Sequence, residues 1–248
     1  ATPIAIELLR PEAMHDFAIT KNHSVILDFP LRTMIKKGPG WRDETRSRIG
    51  ILPRRAGPDA KVQWFETSNN VCLHVVNAFE SDHKVILVAA ELEDFVKGIA
   101  YLYRWEINLK TGEVAEGLVD DEAMEFPRIN DQFTGVSNRY AYVPMVADKP
   151  TFLFDRLRKY DFGDHSGQSR VVVNKNLATD CFGSEPVFVP RPGDDRREDD
   201  GYVLNLIHNR QENCAFLDVL AAENLEQLAR VEIPTRIPVG FHCAFLPA

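Results

Sequence analysis

Residues 71–80 read VCLHVVNAFE, and residues 71–76 of this stretch form a short apolar run that carries a single histidine. Runs of this length, bounded by residues that favour turns, are typical of β-strands. Two more such runs follow at residues 85–90 and 100–107, and residues 110–113 (KTGE) come next as a hairpin turn. The same pattern continues through most of the chain, so we predict an all-β fold.

Similar runs recur along the chain at fairly even spacing. The further runs predicted as strands are 24–29, 62–66, 140–146, 151–154, 170–173, 186–189, 202–207, 215–219, 229–233 and 239–246. Helical patterns are scarce: residues 120–124 are predicted to form at most one helical turn, and residues 221–228 to connect the two strands of a hairpin. Even spacing of short strands is compatible with a sandwich, a barrel or a propeller.

Three histidines help to choose between these architectures. His15, His74 and His242 each have large apolar neighbours, so we expect each of them on a buried segment. A buried imidazole without a partner loses hydrogen bonds to water, and three of them spread over the chain indicate a shared metal ion. A propeller brings distant segments to one axis. At about four strands per blade, the chain corresponds to roughly four blades of a larger propeller.

Two glutamates lie in apolar stretches that contain proline. Glu125 belongs to residues 124–130 (MEFPRIN), and Glu185 belongs to residues 183–191 (GSEPVFVPR). A buried carboxylate needs a partner or it takes up a proton, and the N–H group of a metal-bound imidazole is such a partner. The alternative is that these glutamates form surface ion pairs with Arg128 and Arg191.

Composition limits the classes of function. The chain has 248 residues and a formal net charge of -8, which argues against a nucleic-acid partner. No apolar run approaches the roughly 18 residues of a membrane span. The four cysteines are far apart, which disfavours a disulfide framework and fits a reducing cytoplasm. We expect residues 1–248 to form a single domain that starts within a longer or processed protein, because the first residue is Ala1.

Five segments together resemble the motifs of the carotenoid cleavage oxygenases, a family that includes the lignostilbene dioxygenases. The matching segments are 14–20 (MHDFAIT), 65–66 with 73–80 (FE, LHVVNAFE), 125–130 (EFPRIN), 185–191 with 198–204 (EPVFVPR, EDDGYVL), and 238–242 (PVGFH). They occur in the family's order and span nearly all of the chain. One departure is Cys243, which follows the last histidine where the family commonly has glycine, and we expect it to be a packing residue.

The resemblance implies a seven-bladed propeller with one Fe(II) on its axis, held by four histidines. His15, His74 and His242 would be the second, third and fourth ligands. Glu125 and Glu185 would be carboxylates bonded to histidine ligands, and the first histidine would lie upstream of this C-terminal portion. No catalytic residue beyond the metal site is implied. The expected reaction is cleavage of one conjugated C=C bond by O2, which gives two carbonyl products.

The substrate expected from the resemblance is an apolar carotenoid or apocarotenoid. Three alternatives stay open: a hydroxystilbene substrate, an inactive propeller fragment that lacks the first iron ligand, and a zinc ion in place of iron, since three histidines and a water form hydrolytic zinc sites. Residues 35–41 (IKKGPGW) are basic with an aromatic side chain, and we interpret them as a surface loop, with a peripheral membrane contact of the cytoplasmic protein as the alternative. The remaining histidines, His23, His83, His165 and His208, have polar or turn-forming neighbours and are predicted to be solvated.

Overall fold

A computed structural model describes residues 4–37, 46–147, 152–163, 169–193 and 197–246. The chain divides into two compact units. The first comprises Ala1–Val96, Ala100–Asp121 and Thr134–Ser137, and the second comprises Lys97–Ile99, Glu122–Phe133 and Asn138–Ala248. That residues 1–248 form a single domain stays a prediction.

The first unit begins with a four-stranded antiparallel sheet in the order β1-β2-β3-β4. Its elements are β1 (Ala18–Ile19), β2 (His23–Asp28), the helix α1 (Leu31–Lys37), β3 (Ser47–Pro53) and β4 (Gln63–Thr67). Val25 and Ile49 of this sheet are completely buried in a hydrophobic cluster that also contains Trp105. Burial of these apolar side chains is the main force that stabilises the sheet.

Four longer strands follow in sequence as a meander, in which each strand lies beside the next. They are β5 (Cys72–Ser81), β6 (Lys84–Asp94), β7 (Ile99–Asn108) and β8 (Val114–Met124). A tight turn joins β5 to β6, and its first residue, Asp82, has a φ of 52°. Aspartate tolerates this left-handed conformation better than most residues, so the turn sets the register between Ser81 and Lys84.

The second unit contains the remaining strands and a short 3-10 helix, Asp131–Phe133. The strands are β9 (Tyr140–Val146), β10 (Phe154–Asp161), β11 (Arg170–Asn176), β12 (Cys181–Gly183), β13 (Val187–Pro190), β14 (Gly201–Asn209), β15 (Cys214–Ala221) and β16 (Gln227–Ile233). Their order is β9-β10-β12-β14-β15-β16, with β11 on β10 and β13 on β14. Tyr142, Phe188 and Leu220 belong to the hydrophobic core that lies between them.

The predicted all-β class is confirmed, but three local predictions are wrong. In the run predicted at residues 151–154, the described residues 152 and 153 lie before β10, which starts at Phe154. Residues 120–124 continue strand β8 instead of forming a helical turn. Residues 239–246 contain no strand. The connection at residues 221–228 is confirmed, because β15 ends at Ala221 and β16 starts at Gln227. Among the described residues, no helix is both long enough and apolar enough to cross a bilayer.

Candidate metal centre

His15 and His74 lie together in the first unit. His15 precedes β1, and His74 is on β5, where the pairing with β6 shifts register on both sides of Val75. Such β-bulges redirect side chains and are common beside active sites. The Nε2 atoms of the two imidazoles are 3.3 Å apart, and the rings meet edge to face at 81°. The two predicted ligands therefore present their Nε2 atoms to each other.

This distance suits a shared metal ion. Two metal–nitrogen bonds of about 2.1 Å place their nitrogens about 3.0–3.4 Å apart when the angle between them lies between a right angle and a tetrahedral angle. The Nε2–Nε2 distance of 3.3 Å falls within that range. Iron, zinc, copper and nickel all accept neutral imidazole. The pair therefore fits a transition metal without selecting among these ions.

Asp16 ties the segment of His15 to the strand of His74. One oxygen of its carboxylate accepts the backbone N–H of Val75 at 2.9 Å, and the other accepts the N–H of Phe17 at 2.8 Å. Hydrogen bonds to a charged acceptor are among the stronger ones in proteins. Because Asp16 and Val75 directly follow His15 and His74, this contact fixes the spacing of the two imidazoles.

Glu80, near the end of β5, holds the turn between β1 and β2. Its carboxylate accepts hydrogen bonds from the Thr20 hydroxyl, from the backbone and side-chain amides of Asn22, and from Nδ1 of His23. Burial alone would raise the pKa of Glu80, but these donors outweigh it and lower the pKa from 4.5 to about 2. His23, predicted to be solvated, is instead half-buried against this carboxylate.

The contribution of Glu80 to stability should depend on pH. Its folded-state pKa lies below its unfolded value, so the carboxylate stabilises the fold above pH 4.5 and loses this effect as pH falls toward 2. The free energies of unfolding of the wild type and of Glu80→Gln should therefore converge over this range in urea titrations. Glu66→Gln, at an exposed ion pair, is the matched control. A constant difference for Glu80→Gln across this pH range would contradict the prediction.

His242 is bonded to Glu185 in the second unit. Nδ1 of the imidazole is 3.4 Å from one carboxylate oxygen of Glu185, and the other oxygen accepts the backbone N–H of Cys243 at 2.7 Å. An acceptor at Nδ1 fixes the tautomer and leaves Nε2 as the ligand atom. The predicted contact between Glu185 and a candidate ligand is therefore present. Sγ of Cys243 lies 3.8 Å from the Ser184 hydroxyl.

The alternative interpretation of Glu185, an ion pair with an arginine at the surface, is right about the ion pair but not about the surface. The Nη1 atom of Arg128 lies 3.3 Å from the Glu185 carboxylate, so Glu185 is ion-paired. However, the pair is buried at the glutamate, and it coexists with the bond to His242. Arg191, the partner considered from the sequence, pairs with Asp200 instead at 3.0 Å. One carboxylate thus serves both a candidate ligand and an arginine.

Glu125 is completely buried at the start of the same segment. One of its oxygens accepts the N–H of Phe126 at 2.6 Å, and its bond to a ligand imidazole stays a prediction. Phe126 has a φ of 52°, in the left-handed region that is unusual for a bulky side chain. Its ring packs edge to face against His242, Phe154 and Phe241, with centroids 5.4–5.6 Å away. These contacts hold the strained backbone in place.

The expected burial of the histidine segments is wrong for two of the three. His15 and His242 are exposed in the structure, whereas His74 is half-buried on β5. Apolar neighbours in sequence did not cover these imidazoles, because Phe17 and Phe241 are themselves 59% and 57% exposed. An apolar residue beside a histidine buries it only when the two side chains turn toward the same core.

Several other predicted features lie partly outside the described residues. Residues 35–37 of the basic stretch end helix α1, and residues 38–41 lie outside the described ranges. His165 lies outside them as well. His83 is exposed at the turn between β5 and β6, as predicted, and His208 is half-buried on β14.

Comparisons with known proteins point to one family. A family model described as "Retinal pigment epithelial membrane protein" matches residues 1–247. The carotenoid 9,10(9',10')-cleavage dioxygenase 1 of Pisum sativum is 34% identical over 277 residues, which cover 98% of this chain and 50% of the pea protein. The zeaxanthin 7,8(7',8')-cleavage dioxygenase of Crocus sativus is 32% identical, over 95% of this chain and 69% of its own length.

A solved structure is also similar. The cobalt-substituted apocarotenoid oxygenase of Synechocystis superposes with a TM-score of 0.76 and 26% sequence identity. The match covers 93% of this chain and 52% of the cyanobacterial chain. The chain thus spans about half the length of the pea relative and of this structure.

Proposed function

Since the chain belongs to the carotenoid cleavage oxygenase family, we propose that its protein is an Fe(II) dioxygenase that cleaves a conjugated C=C bond of a carotenoid or apocarotenoid. In the reaction, O2 supplies one oxygen atom to each carbon of the cleaved bond, so that two carbonyl products form and no external reductant is consumed. The observation that carries the proposal is the pair of Nε2 atoms of His15 and His74, 3.3 Å apart in two family motifs.

The proposed iron ligands in this chain are His15, His74 and His242. Support comes from the order of their motifs and from the hydrogen bonds that orient them in each unit: Asp16 links the first two segments, and Glu185 accepts from Nδ1 of His242. Bound Fe(II) would supply the redox chemistry by which O2 reacts with an alkene. Neutral imidazoles leave the metal's charge intact, while nearby carboxylates temper it without occupying ligand positions.

The remaining residues orient the ligands and contact the substrate. The carboxylate of Glu185 accepts a hydrogen bond from the Nδ1–H group of His242, and the ring of Phe126 restricts rotation of that imidazole. We propose the corresponding hydrogen-bonding role for Glu125, whose side chain is completely buried. Met14 and Phe17, which are 42% and 59% exposed beside His15, offer apolar contact to a polyene.

The names of the relatives favour a carotenoid over a hydroxystilbene substrate. We further propose that the chain supplies the later blades of a seven-bladed propeller, in line with the likeness to the Synechocystis oxygenase. A cytoplasmic location and a peripheral membrane contact are part of the same proposal. The net charge of -8 argues against nucleic acid as a partner.

The test uses the complete protein, purified without added metal. Iron and zinc per chain are measured first, and apocarotenoids and hydroxystilbenes are then incubated under isotopically heavy O2. We expect about one iron per chain, with heavy oxygen in both carbonyl products of the apocarotenoid. Zinc in place of iron, or no cleavage by the iron-loaded protein, would overturn the proposal. A protein that holds no metal even after iron is added would overturn the proposal as well, and the two facing imidazoles would then share a hydrogen bond instead.

A further inference from the structure

We propose that Arg128 positions His242 as a metal ligand by holding Glu185 in place, an inference that rests on the proposed function. The Arg128 Nη1 atom is 3.3 Å from the Glu185 oxygen that faces His242, and it is 3.5 Å from the carbonyl oxygen of Cys243. Arg128 therefore contacts both the carboxylate that orients the imidazole and the backbone next to that imidazole. It is a positioning residue, because it acts on the ligand through Glu185.

Arg128 is itself fixed by three further contacts. Its backbone N–H donates to the carbonyl of Tyr142 at 2.9 Å, and the N–H of Tyr142 donates to the Arg128 carbonyl at 2.7 Å. Its Nη2 atom donates to both oxygens of Asp131 at 3.2–3.3 Å. Because Tyr142 is buried in β9, the guanidinium starts from a rigid part of the sheet. This anchoring is what positioning of another residue requires.

The charge of Arg128 also suits this role. Glu185 is 5% exposed at its side chain, and removing the cation from such a buried ion pair is costly in free energy, so the guanidinium stabilises the carboxylate at this place. The planar guanidinium has several donors in a fixed arrangement, so it can serve the Glu185 carboxylate and the Cys243 carbonyl together. A lysine at this position would retain the charge but not the arrangement of donors.

Arg191 provides a matched control in the same region of the chain. It lies in the motif that contains Glu185, but it pairs with Asp200 and stacks over Tyr202. Its pairing does not involve a histidine. If losing any one ion pair weakened metal binding, replacing either arginine would do so. An effect that acts through His242 would follow only from replacing Arg128.

The experiment titrates the metal-free complete protein with Co(II), whose visible absorption bands report the number and geometry of ligands. We expect Arg128→Met to raise the Co(II) dissociation constant about tenfold or more, the effect typical of losing an outer hydrogen-bond partner, and to alter the absorption bands. Arg128→Lys should recover part of the affinity, and Arg191→Met should match the wild type. Should Arg128→Met fail to fold, Asp131→Asn, at a 68% exposed side chain, should raise the constant less but in the same direction.

The outcomes separate the inference from the proposed function. If the wild type binds Co(II) and a folded Arg128→Met binds it equally well with unchanged bands, the inference is overturned while the proposed function stands. With Arg128→Met unfolded, an Asp131→Asn protein identical to the wild type overturns it as well. An equal loss of affinity in Arg191→Met would reduce Arg128 to a general stabilising role. A wild type that does not bind Co(II) overturns the proposed function and the inference with it.

Discussion

Replacing His74 with alanine should abolish the oxidative cleavage that we propose and remove the proposed metal ion from the protein. His74 presents Nε2 at 3.3 Å from that of His15, and no other imidazole on β5 could replace it. Loss of an outer partner of a ligand costs about 10- to 100-fold in affinity or activity, so loss of the ligand itself should exceed about 100-fold. The measurements are metal per chain and the rate of carbonyl formation.

The control for this variant is His83→Ala. His83 is exposed at the turn that joins β5 to β6, so its replacement keeps the strands and the metal site intact. Wild-type metal content in His74→Ala, with folding confirmed by circular dichroism, would remove His74 from the ligand set. Loss of metal in His83→Ala would show that the hairpin as a whole, and not the imidazole, is responsible.

Of the substitutions considered, Asp199→Ala should lower the free energy of unfolding the most. The Asp199 carboxylate accepts a hydrogen bond at 2.7 Å from Nζ of Lys159, whose side chain is 1% exposed. Burial lowers the pKa of Lys159, and Asp199 opposes that shift. Without Asp199 the ammonium would keep the Glu223 carbonyl and the face of the Tyr140 ring as neighbours. Breaking such a buried pair from one side costs about 3–5 kcal/mol.

Urea unfolding of matched variants tests this prediction. Asp200→Ala removes a neighbouring carboxylate from its pair with the half-exposed Arg191, and should cost at most about 1 kcal/mol, as surface pairs do. The double variant Lys159→Met with Asp199→Ala should regain part of the stability, because no unpaired charge is left buried. Equal effects of Asp199→Ala and Asp200→Ala would contradict the explanation.

Much of the fold could be predicted because local pattern and tertiary structure agree. The apolar runs at residues 85–90 and 100–107 lie within β6 and β7, where apolar side chains are buried. Strand β8 was not among the predicted strands, and its residues 120–124 were instead predicted as a helical turn, because the sequence DDEAM is polar enough to suit a helix. Its pairing with neighbouring strands, which a local pattern cannot reveal, decided the outcome.

The candidate site was predictable where a motif names a residue, and not where distant residues pair. The contact between Glu185 and His242 followed from the family resemblance. The arginine that pairs with Glu185 could not be predicted in this way. Arg191 is six residues away in sequence but turns to Asp200, whereas Arg128 reaches Glu185 from a segment 57 residues earlier. Only the fold brings these two side chains together.

Phe126 limits how this site can be altered. Its left-handed backbone conformation suits glycine or asparagine, while its ring is required by the contacts with His242, Phe154 and Phe241. A glycine would meet only the first demand, and a leucine only part of the second. In a mutant library aimed at new substrate preferences, position 126 should therefore stay constant. Useful diversity belongs at residues such as Phe17, whose exposed side chain carries no such double demand.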